Sequence, residues 1–284
     1  MAGVLFRVMA PVSCPTPALA GWAWIPRFAG LSIVRGSQWP RASQNVGMYG
    51  EICAQFYDLD KPYAPALALE WYCEALKGRG RVFEPMCGSG RFLVAMLKRG
   101  FEVDGADPST PMLQRCRDKL AAAGELGYQP QLFEQSMQEL DTPGGYAAAF
   151  IPSGSFGLIF EPAAAQAALT HLRSQLSSGA PVLIEFELPH PEINWPGEAV
   201  KTVTQGGTQI RLVSRVEYDF ASQLETYHNV YELKQSGTVV QTEDETFKLR
   251  CYAPDEMRTE LEKAGCRDIV IDHPDFGWVA RAHA

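Results

Sequence analysis

The stretch Val82-Phe83-Glu84-Pro85-Met86-Cys87-Gly88-Ser89-Gly90-Arg91-Phe92-Leu93 constrains this chain more than any other. A short apolar run ends in an acid, a glycine-rich turn follows at once, and apolar residues then recur at helical spacing (Phe92, Leu93, Met96, Leu97). A second apolar run, residues 101–106, delivers Asp107 roughly twenty residues after the glycines. Strand, tight turn, helix and a second strand tipped by an acid is how an α/β sheet cradles a nucleoside. Backbone amides at the helix start face the ligand, and the second acid takes the ribose hydroxyls.

The surrounding pattern agrees with such a sheet. Residues 49–60 and 64–77 have helical periodicity, with Pro62 and Pro65 between them. Strands are expected at 81–86, 101–106, 130–134, 146–151 and 181–186, with helices at 90–99, 109–123 and 162–177. Ser109 caps the second of these helices, and Pro111 is tolerated in its first turn. Strand alternating with helix predicts the α/β class, a doubly wound parallel sheet covered on both faces. After Pro196 the period changes: residues 199–205, 208–219, 223–235 and 238–250 alternate apolar and polar, punctuated by Gly206-Gly207, the 219–222 turn and Ser236-Gly237. These read as antiparallel hairpins. The core pattern resumes with a helix at 254–264 and strands at 267–272 and 277–282. The expected division is therefore a core of 48–197 and 251–284 and an antiparallel β insert of 198–250, serving as a substrate lid or dimerisation surface.

Residues 1–47 stand apart: four arginines, five prolines and no acid. They read as a poorly structured extension, or as a start codon placed too far upstream with Met48 as the real beginning. A net charge of -8 argues against nucleic acid as a partner, because phosphate binding needs clustered Lys and Arg. No apolar run reaches the roughly 18 residues of a membrane span, so no membrane partner is expected. The seven cysteines are scattered without a CxxC pair, which reads as reduced thiols of a cytoplasmic protein. No metal-ligand spacing stands out.

The glycine turn also discriminates between nucleosides. The dinucleotide fingerprint GxGxxG would need a third glycine where this chain has Leu93. Glu84, four residues before Gly88, would repel a pyrophosphate but attract an ammonium or sulfonium group. S-adenosylmethionine carries both cations, a ribose for Asp107 and a carboxylate for the backbone amides, so it is favoured over NAD.

With these residues in view, Glu84-Pro85-Met86-Cys87-Gly88-Ser89-Gly90 resembles motif I of the class I S-adenosylmethionine-dependent methyltransferases. Residues 103–109 with Met112-Leu113 resemble their second motif, and 133–140 and 149–157 continue the likeness over about residues 49–284. The β insert is similar to that of the small-molecule N- and O-methyltransferases. The resemblance implies a Rossmann-like seven-stranded methyltransferase sheet and a set of roles. Gly88 and Gly90 would let the backbone approach the methionine end of the cofactor, with Pro85, Met86 and Cys87 completing the turn. Glu84 would hold the ammonium and Asp107 the ribose diol. Pro108 and Met112 would border the adenine, with Ser136 and Met137 beside it; many members have an acid where Ser136 stands. Ile151 would end the fourth strand beneath the cofactor, and Pro152 and Ser153 would turn toward the substrate.

The acceptor is less constrained. Tyr57, in the segment that closes over the cofactor in similar enzymes, and His190, after the fifth strand, are the catalytic candidates. Trp195, Arg250 and Tyr252 are candidates for the substrate pocket. The function expected is methyl transfer to an N or O atom of a small molecule, with a homodimer through the insert as a further expectation. Two alternatives stand beside it: a non-catalytic scaffold that binds S-adenosylmethionine, and an NAD-dependent oxidoreductase.

Overall fold

The computed structural model describes residues 32–34, 49–190 and 198–284; Trp195 and most of the 1–47 extension lie outside them. The elements in chain order are β1 (Ser32–Val34), α1 (Glu51–Asp60), α2 (Ala66–Ala75), β2 (Val82–Pro85), α3 (Arg91–Leu97), β3 (Val103–Ala106), α4 (Thr110–Ala123), β4 (Leu132–Phe133), β5 (Ala148–Ile151), α5 (Pro162–Ser174), β6 (Pro181–Phe186), β7 (Glu198–Gln205), β8 (Thr208–Asp219), β9 (Leu224–Gln235), β10 (Thr238–Arg250), α6 (Pro254–Lys263), β11 (Arg267–Asp272) and β12 (Trp278–His283). Every periodic segment of the sequence reappears with its expected type, and the boundaries move by a few residues.

Seven strands form one sheet in the order β11-β12-β6-β5-β2-β3-β4. β4, β3, β2, β5 and β6 run parallel, and β12 enters antiparallel beside β6. β2, β3, β5 and β6 are buried at every position, as strands covered on both faces must be. Phe83, Ile151, Ile184 and Phe186 face α5 and α6 through Leu169, Met257 and Leu261. Val82, Phe150 and Leu183 face the other way, onto Phe92, Leu93 and Leu113 of α3 and α4.

β7 to β10 form the antiparallel sheet, ordered β1-β7-β8-β9-β10. Its tight turns use Gly206-Gly207 (φ 56° and 81°) and Ser236-Gly237 (φ 48° and 82°), the paired left-handed geometry whose twist suits a hairpin. β1 adds an edge strand, Ser32 to Val34 pairing with Val200 to Glu198, so part of the stretch read as poorly structured joins the insert. A third apolar cluster joins insert and core: Ile52 and Phe56 of α1 and Met112 pack on Leu212, Tyr227, Tyr231, Phe247 and Leu249.

Polar contacts fix the same junction. The carboxylate of Glu243 accepts from the amides of Ile52 (3.1 Å) and Cys53 (2.8 Å), and Glu245 accepts from the Tyr49 amide. The orphan amides at the start of α1 are thus satisfied by the insert and not by a side chain of its own, since Gly50 stands at the cap position. On its other side, Asp58 accepts from Lys119 of α4 (2.6 Å), whose ammonium also reaches the Ser89 hydroxyl in the glycine turn (2.9 Å). Helix α1 is therefore clamped between insert and glycine turn. Among the described residues no helix is long and apolar enough to cross a membrane.

Candidate functional site

A cavity opens at the carboxyl ends of β2, β3 and β5. This is where a doubly wound sheet places its ligand. Of the residues singled out in the sequence, Glu84, Met86, Cys87, Gly88, Asp107, Pro108, Met112 and Tyr57 line it together. Arg91, Ser89, Ser109, Ser153, Ser155, Tyr49, Phe92, Leu158 and Pro152 complete the wall. Three of its non-glycine residues, Tyr49 (φ 60°), Met86 (φ 60°) and Ser153 (φ 63°), have left-handed backbone. Such strain is held where the surroundings over-determine it, characteristically at functional sites.

Electrostatics define what the cavity accepts. Glu84 is buried, and its Oε2 has no hydrogen-bond partner. Burial, with Cys116 adding to it, holds the Glu84 carboxyl well above the usual range, against the pull of Arg91 and the Leu93 amide. Asp107 accepts from the amides of Gly88 (2.9 Å, Oδ2) and Ser109 (2.9 Å, Oδ1), and burial still raises it to about 6. A carboxylate offers about four lone-pair sites, so two amides leave room for ribose hydroxyls. Beneath the Ser153 turn, Glu185 accepts from the Ser153 amide (2.8 Å) and the Tyr72 hydroxyl (3.3 Å), and burial raises it to about 7. Arg91 is the buried cation among these acids, donating to the Ser153 hydroxyl (2.8 Å) and lying over the Tyr57 ring at 5.5 Å.

These residues fit S-adenosylmethionine. The orphaned Glu84 oxygen suits its ammonium, the remaining lone pairs of Asp107 suit its ribose, and Arg91 suits its carboxylate. A pyrophosphate has no counterpart beside Glu84. Arg91 directly follows the second glycine, but its place in the sequence gives no sign that α3 turns it into the cavity.

Other expected contacts fall elsewhere. Gly90 does not line the cavity: a Cβ there would meet Cys116 Sγ at 2.4 Å, and its φ is 75°. Its task is to let α4 close on the turn. Pro85 is buried at the end of β2, and Ile151 lies in the core under the cavity floor. Met137 packs in that core too, and Ser136 donates to Glu139 (3.2 Å); neither lines the cavity. Arg250 stacks on Tyr252 at 5.0 Å, and the Tyr252 amide donates to the Glu187 carbonyl (2.8 Å). Both belong to the junction where the insert returns to the core, and neither lines this cavity. His190 meets Glu225 at 2.5 Å behind the insert and also lines neither cavity.

A second cavity lies between α1 and the insert. Tyr49 and Tyr57 line both cavities and form the partition between them. Cys53, Phe56, Asp60, Lys61, Ser214, Tyr227, Asn229, Tyr231 and Phe247 line the rest, with Leu212. Asn229 Oδ1 is buried without a hydrogen-bond partner and so is an open acceptor. Lys61 lies over Tyr57 at 5.5 Å; burial, with Arg91 adding to it, lowers its ammonium to about 7. None of these insert residues has a sequence signature, because alternation marks only a sheet and not what its face meets.

A family model described as a methyltransferase domain matches residues 82–179. A curated Bacillus subtilis (strain 168) protein named as a methyltransferase, YqeM, is 33% identical over 72 residues; the match covers 25% of this chain and 27% of that protein's length. The fold is similar to that of the sugar N-methyltransferase KedS8 from Streptoalloteichus (TM-score 0.69, 16% identity, 87% of this chain and 99% of that one). It is also similar to the CcbJ methyltransferase from Streptomyces caelestis (TM-score 0.64, 21% identity, 83% and 97%). A third similar structure is CalS10 with S-adenosylmethionine bound, an amino pentose methyltransferase from Micromonospora echinaspora (TM-score 0.62, 16% identity, 84% and 99%). Residues 82–179 thus match a methyltransferase-domain model, and the fold as a whole is similar to the Rossmann-like fold of solved methyltransferases.

Proposed function

We propose that this protein transfers a methyl group from S-adenosylmethionine to an N or O atom of a small molecule held in the second cavity. The observation that carries the reading is Glu84: a buried carboxyl with an unpartnered oxygen, in the wall of a cavity with more acids than cations. Such a group is costly unless a cation pairs with it. The cofactor supplies an electrophilic methyl as a sulfonium. Glu84 would hold its ammonium, Arg91 its carboxylate, and Asp107 its ribose hydroxyls. Tyr49 and Tyr57, shared by both cavities, wall the transfer point from water.

The acceptor's nucleophile must arrive unprotonated or lose its proton as it reacts. Lys61 Nζ, lowered to about 7 and lining the second cavity, is suited to take that proton. The open acceptor of Asn229 would orient an N–H or O–H donor on the substrate. The likeness in fold to a sugar N-methyltransferase and to an amino pentose methyltransferase supports an amine on a small polar molecule as the acceptor class. The insert would serve as the lid over that molecule, and its outer edge as a surface for homodimer formation.

The test is incubation with methyl-labelled S-adenosylmethionine and a panel of amino sugars, other amines and phenols. Label should appear in an amine product. Cofactor binding with no transfer to any panel member would favour the scaffold reading, and NADH binding in place of S-adenosylmethionine would overturn both.

A further inference from the structure

Three segments that are remote in sequence meet at the seam between core and insert: His190 after β6, Glu225 near the start of β9, and Cys251 just after β10. One ligand atom from each lies within 4.8 Å of the others, with His190 Nε2 and Glu225 Oε1 2.5 Å apart. Glu225 and Cys251 are buried, and the His190 side chain is 10% exposed. We propose that His190, Glu225 and Cys251 form a binding site for a zinc-like divalent cation that ties the insert to the core. The proposal goes beyond methyl transfer and does not depend on it.

The donor set decides the metal. One imidazole nitrogen, one thiolate sulfur and one carboxylate oxygen is a mixed set that suits Zn²⁺ and not the hard, all-oxygen preference of Mg²⁺ or Ca²⁺. Tetrahedral zinc with bonds of about 2.0–2.3 Å places its ligand atoms roughly 3.3–3.8 Å apart. The His190–Glu225 contact is shorter than that and has to open by about 1 Å to admit the ion. A fourth position is left for water. On binding, the Cys251 thiol gives up its proton to solvent, as does His190 if protonated, and the metal bonds replace the imidazole–carboxylate contact.

The site is supported from outside as metal sites are. Tyr227 donates to the Glu225 oxygen that does not face His190, and the His190 amide donates to the Tyr218 hydroxyl (3.3 Å). Backbone bonds fix the remaining member: the Cys251 amide donates to the Gln223 carbonyl (2.9 Å), and the Tyr252 amide to Glu187 (2.8 Å). Because Tyr227 also lines the second cavity, a filled site would hold that wall in place.

The experiment uses the full chain, reduced, treated with chelator and desalted, then titrated with Zn²⁺ against a chromophoric chelator. The expected result is one equivalent bound with sub-micromolar affinity. His190→Gln and Cys251→Ser should each weaken it by at least about tenfold, while Cys73→Ser on α2 leaves it unchanged. Co²⁺ should give the near-ultraviolet sulfur-to-metal band, absent in Cys251→Ser. If that variant does not fold, His190→Gln and the cobalt band of the parent decide the matter. Equal zinc affinity in His190→Gln, no sulfur-to-cobalt band in the parent, or no zinc bound below micromolar concentration would each overturn the proposal.

Discussion

Replacing Glu84 by glutamine should raise the thermal stability of the cofactor-free protein at pH 8 while lowering its affinity for S-adenosylmethionine. The two signs have one cause. Burial holds the Glu84 carboxyl far above its ordinary value, so the folded state binds a proton that the unfolded chain releases. Stability from such a group is greatest below the unfolded pKa and is lost as pH rises toward the folded one. Glutamine removes that loss but also the charge that pairs with the ligand, at about 1.5–3 kcal/mol of binding. Melting curves and calorimetry together check this, and unchanged affinity would mean that the ammonium is not at Glu84. Asp107, at about 6, and Glu185, at about 7, move the same way. Cofactor affinity should therefore fall as pH drops from 7.5 to 5.5, because a protonated Asp107 accepts fewer hydroxyl hydrogen bonds. Asp107→Ala should cost about 1–3 kcal/mol of binding and flatten the lower part of that profile. Lys61→Met should slow turnover while leaving cofactor affinity within about twofold, and should abolish a rise in kcat with pH centred near 7.

At the scale of elements, the glycine turn and helix α1 carry the sharpest expectations. Gly90→Ala faces both a left-handed φ and a Cβ set against Cys116 Sγ. The backbone part costs about 1 kcal/mol and the overlap about 1–3 more. The double variant Gly90→Ala/Cys116→Ala should recover the overlap and keep the backbone cost, as denaturant unfolding would show; no recovery would locate the strain elsewhere. For α1, Glu243→Gln should loosen the Ile52 and Cys53 amides, seen as faster hydrogen exchange there, and should raise the KM for the acceptor more than for the cofactor. The existence and type of these elements were legible in the chain: buried runs such as Pro181–Phe186, the Ser109 cap, and the alternation after Pro196 each have one local reading. What α1 docks on was not legible, because its cap is supplied by Glu243 and Glu245, roughly two hundred residues away and indistinguishable in sequence from surface acids.

Among the described residues the sheet carries one cavity at its carboxyl edge, the insert walls a second against α1, and the two share Tyr49 and Tyr57. If the insert closes the acceptor cavity, bound S-adenosylmethionine should protect α1 and β9 from hydrogen exchange as well as the glycine turn. Protection confined to the turn would separate the lid from the cofactor.

By itself the sequence determined the α/β class and the end of the sheet at which the cavity opens. Those follow from local rules: a turn that needs glycine, strands that need apolar runs, and an acid set at a strand tip. Tertiary structure decided the rest. It took Gly90 from ligand contact to helix packing, and moved Arg250, Tyr252 and His190 off the cavity walls. It also brought Arg91, Lys61 and Asn229 into the cavities. The physical reason is that a side chain's ionisation and reach depend on what the rest of the fold packs against it. Burial lowers Lys61 and raises Glu84, and no pattern along the chain encodes burial assembled from elements remote in sequence.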